Sequence, residues 1–95
     1  MDISKSDIVV SAAGRDAGQF FYVINREGEY AYLANGKQRK LEQPKKKKLK
    51  HLRFAARIDS RVANKLRDGD KVLNSELRRD LAVFGQKFNS QNQGG

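Results

Sequence analysis

The chain has 95 residues, is 38% apolar, contains no cysteine and carries a formal net charge of +9. This length fits one small domain with little room for an enclosed active site, and the lack of cysteine excludes disulfides and sulfur-ligated zinc. No apolar run approaches the roughly 18 residues of a membrane span, and the N-terminus lacks the pattern of a signal peptide. We therefore expect a cytoplasmic, non-enzymatic binding module.

The first half of the chain has the pattern of short β-strands. Residues 7–13 are rich in β-branched side chains and lead into a glycine-bounded turn at residues 14–18, which predicts a strand followed by a loop. Residues 19–25 form a continuous aromatic and β-branched run. A run without alternation predicts a strand that is buried on both faces.

Three more short strands are predicted further along. Residues 30–34 predict the third, and Asn35-Gly36 predicts a tight hairpin turn into a fourth strand over Lys37–Leu41, which Pro44 would stop. Residues 49–56 predict a fifth strand. Five short strands joined by tight turns favour a small, partly open barrel over residues 1–57.

The period becomes helical after residue 57. Asp59 or Ser60 can cap a first helix that Gly69 ends, and Asn74 or Ser75 can cap a second. The second helix carries an apolar stripe of Leu77, Leu81, Phe84 and Phe88, which needs a surface to cover. We predict that residues 58–88 are a two-helix extension packed on the barrel, and that residues 89–95 are a disordered tail.

The positive charge is concentrated in residues 37–57, which hold ten of the twenty bases and one of the eleven acids. The remaining residues hold ten of each, so the whole excess of +9 lies in this segment. Such a basic stripe is typical of proteins that bind nucleic acids, because each base that meets a phosphate releases a condensed counterion. We predict RNA contacts from the following residues of this segment: Lys37, Arg39, Lys40, Lys45, Lys46, Lys47, Lys48, Lys50, His51 and Arg53.

A resemblance to a known family comes from the glycine-bounded loop. Residues 7–24, D-I-V-V-S-A-A-G-R-D-A-G-Q-F-F-Y-V-I, resemble the KOW motif of SH3-like barrels in ribosomal proteins and in transcription elongation factors of the NusG type. The likeness is closest to bacterial KOW-domain RNA-binding proteins related to an archaeal and eukaryotic large-subunit ribosomal protein. In that group a basic segment follows and ends near K-H-L, here residues 50–52. The likeness covers residues 7–52, a little under half the chain.

The resemblance implies an SH3-like barrel that binds ribosomal or other structured RNA in the translation apparatus, with ribosomal proteins as further candidate partners. It also implies RNA contacts from Gly14, Arg15 and Gly18, whose loop can present backbone N–H groups and a guanidinium to phosphate. The general KOW pattern often has lysine and glycine where this chain has Ala17 and Phe21. Contacts that depend on that lysine are not carried over.

Two other classes of function fit the same residues. One is a protein-interaction module of the transcription or translation machinery, and the other is a DNA-binding module with a role in transcription. Lysine contacts carry no base code, so charge alone does not separate RNA from DNA. A membrane partner is not expected, because the basic run has no lipidation signal and no amphipathic basic helix around it.

The aromatic residues and the single histidine complete the set of candidates. We expect most of the aromatic rings between residues 20 and 32 to be interior, with Tyr30 or Tyr32 as the exception that can stack on an unpaired base. His51 is the only histidine, too few for a histidine-based triad or metal cluster. We therefore expect no catalytic residue, no metal, no cofactor and no small-molecule substrate.

Overall fold

The computed structural model describes residues 2–93, with side chains described as far as residue 89. Five strands form one antiparallel sheet, and two helices follow it. A single 3₁₀ turn, Leu49–His51, joins the last two strands. The elements are β1 (Ile8–Ser11), β2 (Phe20–Glu27), β3 (Tyr30–Ala34), β4 (Lys45–Lys48), β5 (Leu52–Ala56), α1 (Arg61–Asp68) and α2 (Asn74–Gln93). The structure confirms five strands followed by two C-terminal helices, but the expectation of a mainly β chain does not hold, because the helices contain 28 residues and the strands 26.

The sheet has the strand order β4-β3-β2-β1-β5 and is buried on both faces at its centre. Val9 and Phe21, opposite each other on β1 and β2, belong to one apolar cluster. Ile8 and Tyr22, opposite each other one position away, belong to a second cluster together with residues of the helices. The prediction that the run at residues 19–25 is buried on both faces is confirmed for its central residues.

The helices cover one face of the sheet. The hydroxyl of Ser60 accepts a hydrogen bond from the backbone N of Ala63 (3.0 Å) at the start of α1, and Gly69 ends this helix with a φ of 79°, as predicted. In α2 the residues of the predicted stripe face the sheet, where Phe84 and Phe88 pack edge-on against the ring of Phe20. The helical extension therefore folds back on the β unit.

The second helix is longer than predicted. It continues through Gln93, so the expected disorder of residues 89–95 does not hold for residues 89–93, and residues 94–95 lie outside the described residues. Once a helix is anchored, each added residue gains a hydrogen bond, and no glycine or proline interrupts residues 86–93. The aromatic contact at Phe88 supplies the anchor.

The fourth strand was predicted in the wrong place. Lys37–Leu41 lies in a loop over residues 35–44, and the strand begins at Lys45, directly after Pro44. Proline therefore precedes the strand instead of stopping it. Four consecutive lysines have no hydrophobic alternation, so the usual strand signal is absent from this segment.

The Asn35-Gly36 pair does not form the predicted tight hairpin. Only Gly36 of the two has a positive φ, whereas the turn type that favours this pair needs a positive φ at both positions. The Asn35 side-chain oxygen instead accepts hydrogen bonds from the backbone N of Lys37 and of Arg39, each 3.0 Å long. This side chain closes a longer loop that carries the first cations of the basic segment.

Candidate nucleic-acid interface

The lysine run of β4 divides between the two faces of the sheet. Antiparallel pairing places Lys45 opposite Leu33, and Lys46 opposite Tyr32. Successive side chains of a strand alternate between the two faces of the sheet. Lys45 and Lys47 therefore lie on the same face as Leu33, which we call the inner face. Lys46 and Lys48 lie on the opposite face with the tyrosines of β3, which we call the outer face and which the helices cover farther along. The run is therefore two pairs of cations with different surroundings.

Lys47 is buried, with 9% of its surface exposed. Its Nζ donates to Ser11 Oγ (2.5 Å), to the Ala13 carbonyl oxygen (2.5 Å) and to Asp16 Oδ1 (2.8 Å). These three acceptors use all the donors of an ammonium group. The prediction that Lys47 contacts RNA does not fit this burial, and we assign it an internal role that joins β4 to the glycine-bounded loop.

Asp16 is the acceptor that organises this loop. Its carboxylate takes hydrogen bonds from Lys47, from Ser11 Oγ (2.7 Å) and from Lys45 Nζ (3.0 Å). Burial opposes ionisation of Asp16, but these hydrogen bonds outweigh it and hold the pKa of the carboxyl well below its usual range. The sequence placed Asp16 in a turn and gave no sign that two lysines some thirty residues later would converge on it.

The loop at residues 14–18 and the loop at residues 35–44 border a cleft of about 260 Å³. Three predicted cations line it: Arg15 from the first loop, Arg39 from the second, and Lys45 from β4. Gly14 and Gly18 are exposed and both have a φ of 88°, so Arg15 lies between two positions where the backbone turns in the left-handed region. The walls also carry Asp16, Phe21 and the amide side chains of Gln19 and Gln38.

The second helix holds the loop at residues 35–44 in place. Asn74 Oδ1 accepts a hydrogen bond from the backbone N of Leu41 (2.8 Å), and Asn74 Nδ2 donates to Glu42. The hydrogen bond from Asn74 lowers the pKa of Glu42, the only acid of the basic segment. Arg78 donates to the Gly36 carbonyl oxygen (3.2 Å). Lys37 and Lys40 are exposed on the same loop, so the helix fixes the position of the segment that presents these cations.

The outer face carries two tyrosines beneath two lysines. Lys46 Nζ lies 4.6 Å from the ring centroid of Tyr30 and 5.9 Å from that of Tyr32, and Lys48 Nζ lies 5.9 Å from the ring centroid of Tyr30. Both tyrosines are only half-buried, whereas Phe21 on β2 is fully buried. Partial exposure was expected at Tyr30 or Tyr32 and is found at both, but Phe20 is half-buried as well, so only two of the five rings at residues 20–32 are fully buried.

The other predicted residues lie outside the cleft. Lys50 is exposed in the 3₁₀ turn, and Arg53 is exposed on β5, opposite Val10 of β1. His51 is half-buried, and its carbonyl oxygen accepts a hydrogen bond from the backbone N of Ala12 (2.8 Å). None of the three lines the cleft.

Comparison with known proteins adds no identification, since no family model and no curated protein matches the chain. Within residues 2–93 neither helix is long and apolar enough to cross a membrane. Over the same residues, no three histidine, aspartate or glutamate side chains are grouped so that they could hold a metal ion.

Proposed function

We propose that this chain is a non-enzymatic, cytoplasmic RNA-binding module built on an SH3-like barrel of the KOW type, and that it binds ribosomal or other structured RNA in the setting of translation. One observation carries the proposal. Arg15, Arg39 and Lys45 come from three separate segments and meet at one cleft. Three cations and one carboxylate, Asp16, line this cleft, so its net charge is positive. A positive cleft favours an anionic ligand, and phosphate is the group that arginine and lysine bind in nucleic acids.

The connection between β4 and β5 supports the barrel. These strands are the two edges of the sheet, and about 19 Å would separate them in a flat sheet with strands about 4.8 Å apart. The chain from Lys48 to Leu52 reaches at most about 14 Å. The edges are therefore drawn together, which favours a curled sheet whose interior is the cluster around Val9, Phe21 and Leu33.

The charge that remains at the surface supports a polyanionic ligand. Among residues 2–89, no carboxylate lies within ion-pair distance of the cations on the loop at residues 35–44 or on the outer face of β4, whereas Lys45 and Lys47 pair with Asp16. An unpaired surface cation can exchange its counterions for a phosphate at little cost. The cations that remain unpaired in this way are Lys37, Arg39, Lys40, Lys46 and Lys48.

The shape of the site favours folded RNA over regular duplex DNA. Readout of the DNA major groove uses a helix or a two-stranded ribbon that enters the groove. The cations of this cleft lie instead on two loops and one edge strand. Folded RNA offers irregular backbone and unstacked bases to such a surface.

The test is a filter-binding titration at several salt concentrations. Labelled ribosomal RNA, single-stranded DNA and duplex DNA are compared for the parent and for the double variant Arg15→Ala, Arg39→Ala. If both side chains contact phosphates, the slope of log K against log salt should become shallower by about 1.4 to 1.8. The matched control is Arg67→Ala with Lys87→Ala, which removes two exposed cations of the helices.

Each result separates the proposal from its alternatives. If the double variant of Arg15 and Arg39 binds RNA as tightly as the control variant does, the cleft is not the interface. Tighter binding to duplex DNA than to ribosomal RNA would favour a DNA-binding module. If the purified chain binds no RNA but still co-sediments with ribosomal subunits, a protein-interaction module is favoured.

A further inference from the structure

We propose that the outer face of β3 and β4 is a stacking platform for unpaired RNA bases, formed by the rings of Tyr30 and Tyr32 with Lys46 and Lys48 beside them. The inference rests on the proposed function and deepens it, because it identifies the part of an RNA ligand that this face takes. That part is a single-stranded stretch of at least two nucleotides.

The two rings lie where the helices do not cover the sheet. On this face the helices pack over Ile8, Tyr22 and Ala34. The next side chains of β3 on the same face, Tyr32 and then Tyr30, belong to neither apolar cluster and are half-buried. The opposite residues of β2, Asn25 and Glu27, are exposed. Two large rings therefore lie on a part of the sheet that the helices do not cover, outside both described clusters of the core.

Their spacing suits successive bases. Tyr30 and Tyr32 are two residues apart on one strand, so they lie on the same side and are about 7 Å apart along it. Stacking on an aromatic side chain tolerates any base because every base has a π face. An extended strand laid along β3 can thus place one base on each ring.

The lysines provide the charge that such a strand needs. Lys46 and Lys48 are opposite the two tyrosines on the neighbouring strand, and no carboxylate among residues 2–89 pairs with them. In the unbound chain their ammonium groups lie over the rings at 4.6 to 5.9 Å. Cation–π contacts at exposed sites are weak, and the flexible lysine stem lets each ammonium move to a phosphate when a base takes its place on the ring.

A purely structural role for these contacts makes a different prediction. Cross-strand tyrosine–lysine pairs can stabilise the edge of a sheet, and their loss would then lower stability and the binding of every ligand alike. Stacking, in contrast, contributes only with unpaired bases and adds nothing to the salt dependence, which phosphate contacts set. The comparison of single-stranded with paired RNA therefore separates the two roles.

The experiment uses the full chain, an unstructured oligouridine of twelve nucleotides, and an RNA duplex of the same length. Fluorescence anisotropy of labelled RNA is measured at several salt concentrations for Tyr30→Leu, Tyr32→Leu and for Lys46→Gln, Lys48→Gln. The tyrosine pair variant should lose about tenfold or more in affinity for oligouridine, with an unchanged salt slope and little effect on the duplex. The lysine pair variant should make the slope for oligouridine shallower by about 1.4.

Two further variants and one fluorescence measurement keep the test specific. The variant Phe88→Leu removes a half-buried ring of α2 and should leave binding unchanged, and Tyr30→Phe, Tyr32→Phe should restore most of the affinity that the leucine pair loses. The chain has three tyrosines and no tryptophan, and the third, Tyr22, is fully buried. Oligouridine should therefore quench the tyrosine emission of the parent and not that of the leucine pair.

The failure of this inference differs from failure of the proposed function. If a folded leucine pair binds oligouridine within twofold of the parent, or if the phenylalanine pair loses as much affinity as the leucine pair, the platform is refuted while RNA binding at the cleft stands. If the parent binds oligouridine through the tyrosines but shows no binding to ribosomal RNA, the platform stands and the proposed ligand is wrong.

Discussion

Replacement of Asp16 by asparagine tests the arrangement that joins the glycine-bounded loop to β4. The substitution removes the negative charge between Lys45 and Lys47, with ion-pair distances of 3.0 and 2.8 Å. The Lys47 side chain is 9% exposed and that of Asp16 is 12% exposed. An ammonium group would then remain buried without a counterion, which is costly in a protein interior.

The magnitude follows from the burial. Removal of one partner of a buried ion pair costs about 3–5 kcal/mol, but Lys47 keeps its hydrogen bonds to Ser11 and to the Ala13 carbonyl oxygen. We therefore expect a loss of about 2–4 kcal/mol in the free energy of unfolding. In a domain of this size such a loss lowers the midpoint of thermal unfolding by about 10–25 °C.

The assay is thermal and urea unfolding followed by circular dichroism. Asp2→Asn serves as control, because the ion pair between Asp2 and Arg26 is exposed and such pairs contribute at most about 1 kcal/mol. The double variant Asp16→Asn, Lys47→Met removes the buried charge along with its partner and should recover part of the stability lost. A loss below about 1 kcal/mol for Asp16→Asn, or no recovery in the double variant, would refute the reasoning.

The contribution of Asp16 to the free energy of unfolding should also depend on pH, and the direction of this dependence can be predicted. The pKa of Asp16 is lower in the folded chain than its usual value of 3.8, so the folded state favours the ionised carboxyl. The stability that Asp16 contributes is fully present above about pH 5 and is lost as the pH falls below about 4. The parent should therefore lose stability more steeply than Asp16→Asn between pH 5 and pH 2, and parallel curves would contradict the assignment.

Two further substitutions test how the helices hold the sheet and the loop. Gly36→Ala should lower the free energy of unfolding in urea by more than about 3 kcal/mol, because φ is 76° and the new Cβ would lie 2.2 Å from the Asn74 backbone oxygen. The control Gly28→Ala, with a φ of 59° and no atom within 4 Å of the new Cβ, should lower it by about 1–2 kcal/mol. Equal losses for the two variants would contradict the contact with α2. Ser60→Ala should cost about 1–2 kcal/mol because the hydroxyl caps α1, whereas Ser75→Ala, an exposed position in the first turn of α2, should change the midpoint of unfolding little.

Local signals predicted most of the fold. The bounds of the third strand agree with β3, and the serine cap and glycine end of the first helix lie where expected, because each signal is contained within a few neighbouring residues. The fourth strand was missed because its stability comes from pairing with β3 and from the contact of Lys47 with Asp16. Lysine itself has little preference for strands, so tertiary contacts decide this element.

The site was predicted only as a collection of charges. The sequence indicated Arg15, Arg39 and Lys45 as RNA-facing candidates, but it could not place them at one cleft, because the loop that carries Arg39 is fixed by Asn74 of α2, more than thirty residues away. It also could not show that Lys47 is internal. The tyrosines were candidates for exposure, yet their contact with Lys46 depends on a strand that the pattern did not predict.

Folding changes the charge that a ligand would meet. Lys45 and Lys47 share Asp16, and Arg57 pairs with Asp7, so two acids from outside residues 37–57 form ion pairs with three of the ten bases in that segment. The remaining bases lie mainly on the loop at residues 35–44 and on the outer face of β4. The loop leads directly into β4, which is an edge strand of the sheet, so both surfaces adjoin this strand. If both proposals hold, one RNA chain can reach both surfaces by passing over this edge, with its folded part at the cleft and an unpaired extension along β3.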